Sequence, residues 1–238
     1  DVVITNHPKC GGSHLPDVTL MSAVYTEKNE LIGYVINRAH HAEIGGARPG
    51  SMPPDARTLA EEGVVIPPTY LVRGGEPRWE TIEKLLAGAS WPTRSLPENL
   101  ADINAALASL RNGEAALRNM AARYGLEKVH HYMAGLKDLS RRALAEALAP
   151  WRGRTFTAEE RLDDGHRIRV SLAVGEEGVR IDFTGTSPVH PGNLNANIAI
   201  VYSAVIYVLR LLCKEDIPLN EGLMQHVRIE LPDCFLHP

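Results

Sequence analysis

At 238 residues, the chain is long enough for one large domain or two small ones with a sizeable core. Lys and Arg total 25 against 29 Asp and Glu, a net charge of −4 with no basic block, which argues against nucleic acid or an anionic membrane as partner. Three cysteines without paired spacing, Cys10, Cys213 and Cys234, fit reduced thiols in a cytoplasmic protein better than a disulfide framework. In chain order, residues 2–5, 18–25 and 31–37 are β-branched and apolar. The E-K-N-E between the last two predicts a hairpin. Residues 45–97 are rich in Gly and Pro, which predicts irregular, ordered loop with one short helix over 79–87.

From 97 to 149 the pattern becomes helical. Leu100, Ile103, Leu107, Leu110, Leu117, Met120 and Tyr124 recur at helical spacing, with Ser95 a candidate cap. A second run, 126–149, stops at Pro150, so Gly125 joins two long helices into an αα-hairpin. Gly113 inside the first helix marks a kink or a close approach. The doublet His130-His131 receives no role. Residues 167–174 and 179–184 alternate around G-E-E-G and form a second hairpin. An apolar helix over about 196–212 and a last strand over 226–231 follow; the run 198–213 is too short to span a bilayer and carries Arg210. The fold class is α+β: mixed β-sheets, an inserted long αα-hairpin and extended Gly/Pro-rich loops. Three regions result: a β-rich part over 1–95, a helical hairpin over 96–150, and a hairpin, helix and strand over 151–238.

Chemistry-bearing residues concentrate between positions 6 and 54. In N-H-P-K-C-G-G-S-H-L-P-D, His14 and Asp17 stand three apart around Pro16, which keeps the tetrapeptide out of a helix. In R-A-H-H-A-E-I-G-G, His40 and Glu43 repeat that spacing after an apolar run. Imidazole plus carboxylate, supplied from two strand ends, suits a divalent transition metal. Lys9 and His7 beside Cys10 favour a thiolate, making Cys10 a candidate nucleophile. A second stretch, F-T-G-T-S-P-V-H-P-G-N-L-N-A-N, precedes the apolar helix. A helix start there presents free N–H groups to a carboxylate or phosphate, with Thr186, Ser187, Asn193 and Asn195 as candidate substrate contacts. No G-x-S-x-G elbow surrounds Ser187, and neither a P-loop nor a G-x-G-x-x-G motif is present.

G-G-S-H-L-P-D, R-A-H-H-A-E-I-G-G and P-G-S-M-P-P resemble the hydantoinase B/5-oxoprolinase family, and N-H-P in front is similar to its 5-oxoprolinase branch. N-L-A-D-I, F-T-G-T-S-P, G-N-L-N-A and D-I-P-L-N-E-G match in the same order, so the resemblance covers nearly the whole chain, as an internal piece of the family's domain. It implies a hydrolase for ATP-dependent opening of a five-membered lactam or imide ring. A hydantoinase A-like subunit would hold ATP and magnesium and phosphorylate the ring carbonyl oxygen in a hetero-oligomer. The resemblance implies His14, Asp17 and His40 as ligands of a divalent ion (Mn, Zn or Fe), with His41 as a support behind the ligands or a proton carrier, and Glu43 as a further catalytic candidate that stands where the family more commonly has Asp. An isolated fragment would be inactive. A subunit of an acetone- or acetophenone-carboxylase-like complex and a non-catalytic assembly scaffold remain the alternatives.

Overall fold

Period-two burial builds the first sheet. In β2 (Asp17–Tyr25), Val18, Leu20, Ser22 and Val24 are buried and alternate with more exposed neighbours. This strand lies between β1 (Val2–Thr5) and β3 (Leu31–His40), antiparallel to both. The β2–β3 turn closes where Asn29 takes a left-handed φ of 62°, a conformation asparagine tolerates. The computed structural model describes residues 1–214 and 216–238, and the chain divides into two units, Asp1–Val129 and His130–Pro238.

Residues 45–97 hold more order than the sequence suggests. Besides the expected helix they contain α1 (Leu59–Glu62), β4 (Thr69–Arg73) and β5 (Glu76–Pro77); the helix itself is α2 (Trp79–Ala87). β4 takes the free edge of β1, giving the antiparallel order β3-β2-β1-β4-β5. Its Tyr70-Leu71-Val72 core sits between Pro67-Pro68 and Gly74-Gly75, too short to show a period by itself.

α3 (Leu96–Tyr124) lies across β2 and β3 and buries Ile103, Leu107 and Leu110. It runs unbroken through Gly113, where a Cβ would stand 2.7 Å from Val35 Cγ1, so this glycine serves close packing. Gly125, at φ 86°, ends the helix, and α4 (Leu126–Leu148) begins at once. The unit boundary falls within α4. Val129 packs in the first unit with Val24, Ile32 and Ala121, whereas Leu144 and Leu148 belong to the second core. α3 thus packs in the first unit, whereas α4 contributes buried residues to the cores of both.

In the second unit β6 (Thr155–Arg161), β7 (Arg167–Val174), β8 (Val179–Asp182) and β9 (Val227–Glu230) follow in that order across the sheet. β6–β7 and β7–β8 are antiparallel and β8–β9 is parallel, so this sheet is mixed. β6 was not expected: all seven of its residues are exposed, and it carries no apolar period. α5 (Ile198–Leu212) buries Val201, Val205 and Leu209. D-I-P-L-N-E-G clasps α4: Asn220 donates to Ser140 Oγ at 3.0 Å, and Gly222 lies where a Cβ would strike the Lys137 carbonyl. Among the described residues, no helix is long and apolar enough to cross a membrane.

Candidate metal centre

The register of the first hairpin sets the site. Asp17 opens β2, His40 ends β3, and the two are cross-strand partners. His14 comes from the loop before β2, which is fixed from below by Asn6. That side chain is fully buried, donates to the carbonyls of Leu15 and Val64 at 2.8 Å each, and accepts from Ile66 N–H at 2.7 Å. Gly12 crosses Asn6 so closely that a Cβ would lie 2.5 Å from its carbonyl oxygen. Arg38, on the same face of β3 as His40, donates to the Gly11 carbonyl at 2.6 Å and closes the loop from above.

Three of the predicted residues therefore converge. His14 Nδ1 lies 3.1 Å from Asp17 Oδ2, and His40 Nδ1 lies 3.2 Å from Asp17 Oδ1. One ligating atom from each residue falls within 4.8 Å of the others, and the two imidazole rings are 5.0 Å apart. Ser13, whose place in the sequence carries no signal of a role, donates its hydroxyl to Asp17. Burial alone raises the Asp17 carboxyl. The Ser13 hydroxyl, the His14 charge, the His40 hydrogen bond and the Arg38 charge outweigh it and hold the group below its ordinary value. With His40 54% exposed and Asp17 17% exposed, a carboxylate is seated and an imidazole still faces solvent. Two imidazoles and a carboxylate are a donor set that fits a divalent first-row cation.

The neighbouring candidates sit elsewhere. His41, just past the end of β3, is buried, its Nδ1 2.5 Å from Oδ1 of Asn99 on α3. Asn99 donates to Thr93 Oγ1 at 2.7 Å and to Glu43 Oε1 at 3.2 Å. Glu43 also accepts from the Thr93 hydroxyl and from the N–H groups of Gly45, Arg94 and Ser95. Burial raises the Glu43 carboxyl, and these hydrogen bonds outweigh it and bring the group below its usual range. Ser95 makes no side-chain cap bond at the start of α3; its N–H goes to Glu43. Cys10 is exposed at the end of the turn Pro8–Cys10, where His7 Nδ1 accepts from Lys9 N–H.

Thr186, Ser187, Asn193 and Asn195 belong to the second unit. Thr186 Oγ1 bonds both the N–H and the carbonyl of Arg169, and Ser187 Oγ accepts from Arg167 N–H, so both fasten their segment to β7. Asn195 accepts from His190 N–H at 2.8 Å and donates to the carbonyls of His190 and Gly192. Asn193 lies half-buried in the same loop. The cap of α5 is Asn197, whose Oδ1 accepts from Ala199 and Ile200.

A family model described as Hydantoinase B/oxoprolinase matches residues 1–238. The 5-oxoprolinase of Saccharomyces cerevisiae is 38% identical over 244 residues, which cover 98% of this chain and 19% of the yeast protein. The chain thus spans about a fifth of that relative's length. The crystal structure of ATP-dependent caprolactamase from Pseudomonas jessenii aligns with a TM-score of 0.85 at 26% identity, over 98% of this chain and 41% of that one. Nucleotide-free acetone carboxylase aligns with a TM-score of 0.84 at 16% identity, over 100% of this chain and 33% of that one, a likeness of fold.

Proposed function

Because the chain belongs to the hydantoinase B/oxoprolinase family, we propose that it is the hydrolytic part of an ATP-dependent enzyme opening a five-membered lactam or imide ring, of 5-oxoproline or hydantoin type. The convergence of His14, Asp17 and His40 at one hairpin end carries this reading. Support comes from a relative named 5-oxoprolinase and from a structural neighbour named an ATP-dependent caprolactamase, whose substrate is likewise a cyclic amide by name. The carboxylase alternative has only likeness of fold behind it.

An unstrained lactam is a poor electrophile, and phosphorylation of its carbonyl oxygen by a hydantoinase A-like partner supplies a leaving group. In this reading His14, Asp17 and His40 hold a divalent cation, Mn, Zn or Fe. When bound, such a cation supplies Lewis acidity toward a carbonyl oxygen or a water. Asp17 orients both imidazoles, Ser13 orients Asp17, and Arg38 keeps the His14 loop over the strand end. His41 and Glu43 act through Asn99, fixing the backbone that follows His40. Cys10, on its exposed turn, is the alternative nucleophile.

The experiment measures ring opening of 5-oxoproline and hydantoin with ATP and Mg²⁺, using the full chain with and without a hydantoinase A-like partner. Turnover is expected only with the partner present. Asp17→Asn should lower it roughly 100-fold or more and reduce bound first-row metal. Turnover without the partner, or undiminished turnover by Asp17→Asn, overturns the assignment.

A further inference from the structure

A second imidazole–carboxylate cluster stands in the other unit, on residues that the lactam reading does not use. Asp164 and His166 flank Gly165 in the β6–β7 turn, and His190 comes from the loop between β8 and α5. Asp164 Oδ2 lies 2.9 Å from His166 Nδ1 and 2.8 Å from His190 Nε2. The two rings are 4.4 Å apart, and one ligating atom from each of the three residues falls within 4.8 Å of the others. From this convergence we infer that Asp164, His166 and His190 form a second binding site for a divalent transition-metal ion of the zinc class.

The surroundings are built to hold this geometry. Asp164 Oδ1 accepts from His166 N–H at 3.0 Å, which fixes the carboxylate across its own turn. Phe235 meets the His166 ring edge-on, with centroids 5.9 Å apart at 79°. Asn195 folds the His190 loop with three hydrogen bonds, to the N–H and carbonyl of His190 and to the carbonyl of Gly192. Gly192 passes so near the His190 ring that a Cβ would lie 3.1 Å from Cε1. Asp164 and His166 keep partial access to solvent, so an ion can enter and a fourth position remains for water or a ligand oxygen.

Donor atoms 2.8–2.9 Å apart sit closer than the roughly 3.3 Å edge of a tetrahedron with zinc bonds of about 2.0–2.1 Å. The ion therefore lengthens these two Asp164–histidine edges by about half an ångström. It also shifts a proton. His190 Nδ1 accepts from Gly192 N–H at 2.9 Å, so without an ion the neutral ring carries its proton on Nε2. Ligation through Nε2 places that proton on Nδ1, and the Gly192 N–H must turn away. Loading is thus coupled to the loop that leads to the Asn197 cap of α5, while the ion ties that loop to the β6–β7 turn.

The test removes the first cluster and asks whether an ion still binds. In an Asp17→Asn/His40→Gln background, the metal-free full chain is titrated with Zn²⁺, and with Co²⁺ for its visible absorption. One ion per chain is expected, with four-coordinate Co²⁺ bands and a rise in melting temperature. Adding Asp164→Asn or His190→Gln should weaken binding roughly 100-fold or more and abolish both signals. Circular dichroism establishes that each variant is folded. A folded background variant that binds no ion overturns the inference; so does an ion that survives both Asp164→Asn and His190→Gln. Neither result bears on ring opening, which depends on the first cluster.

Discussion

Glu43 joins the strand end to α3 through the Thr93 hydroxyl, the Asn99 amide and three backbone N–H groups. Its carboxyl lies below the ordinary value when folded. The stabilisation it supplies is thus complete above the unfolded-state pKa and is lost as pH falls through the lowered one. Glu43→Gln should cost roughly 1.5–3 kcal/mol at neutral pH and flatten the acid side of the stability curve. Urea unfolding of both proteins across the acid range checks this, and an unchanged acid limb refutes it. Residue spacing made His14 and Asp17 legible because Pro16 confines them to one tight loop. The same spacing said little about Glu43: β3 ends at His40, and beyond a strand end three residues no longer fix a side. Ser13 and Asn99 were invisible for another reason, since only folding brings them to their partners.

Among the elements, Gly113 offers the sharpest test, because two effects oppose each other there. In an exposed helix, replacing glycine by alanine gains about 1 kcal/mol. Here the new methyl meets Val35, a β-branched side chain with a stiff χ1, at 2.7 Å. Overpacking should win, and Gly113→Ala should destabilise by roughly 1–3 kcal/mol. Adding Val35→Ala should recover part of that loss in a double-mutant cycle, and strict additivity would deny the contact. The first hairpin and the long helices were readable because burial on one face imposed a period on their sequences. β4 and β6 were not. β4 is too short between its prolines and glycines, and β6 carries T-F-T-A-E-E-R with every residue exposed, so no core wrote its pattern. The cluster of Asp164, His166 and His190 shares that illegibility, since its members meet only across a turn and a distant loop.

At the scale of the whole molecule, each unit owns a core, and β8 finds its partner β9 only after α5 has intervened. A chain ending at Gln225 loses β9 and the cover of Val179 and Ile181. Hydrogen exchange should then show β7 and β8 unprotected while the amides of β2 and β3 keep their protection. Loss of protection in both units would mean that they unfold as one. The parallel β8–β9 pair also imposes an order in time. During synthesis the first sheet can close as soon as β5 leaves the ribosome, for all its strands are then made. The second sheet waits with one edge of β8 unsatisfied through the whole translation of α5. A strand edge left open is a template for a neighbouring chain, and late non-local pairing prolongs the exposure. Nascent chains on one message are therefore most open to mispairing in this interval, and the Val227–Glu230 segment is what ends it.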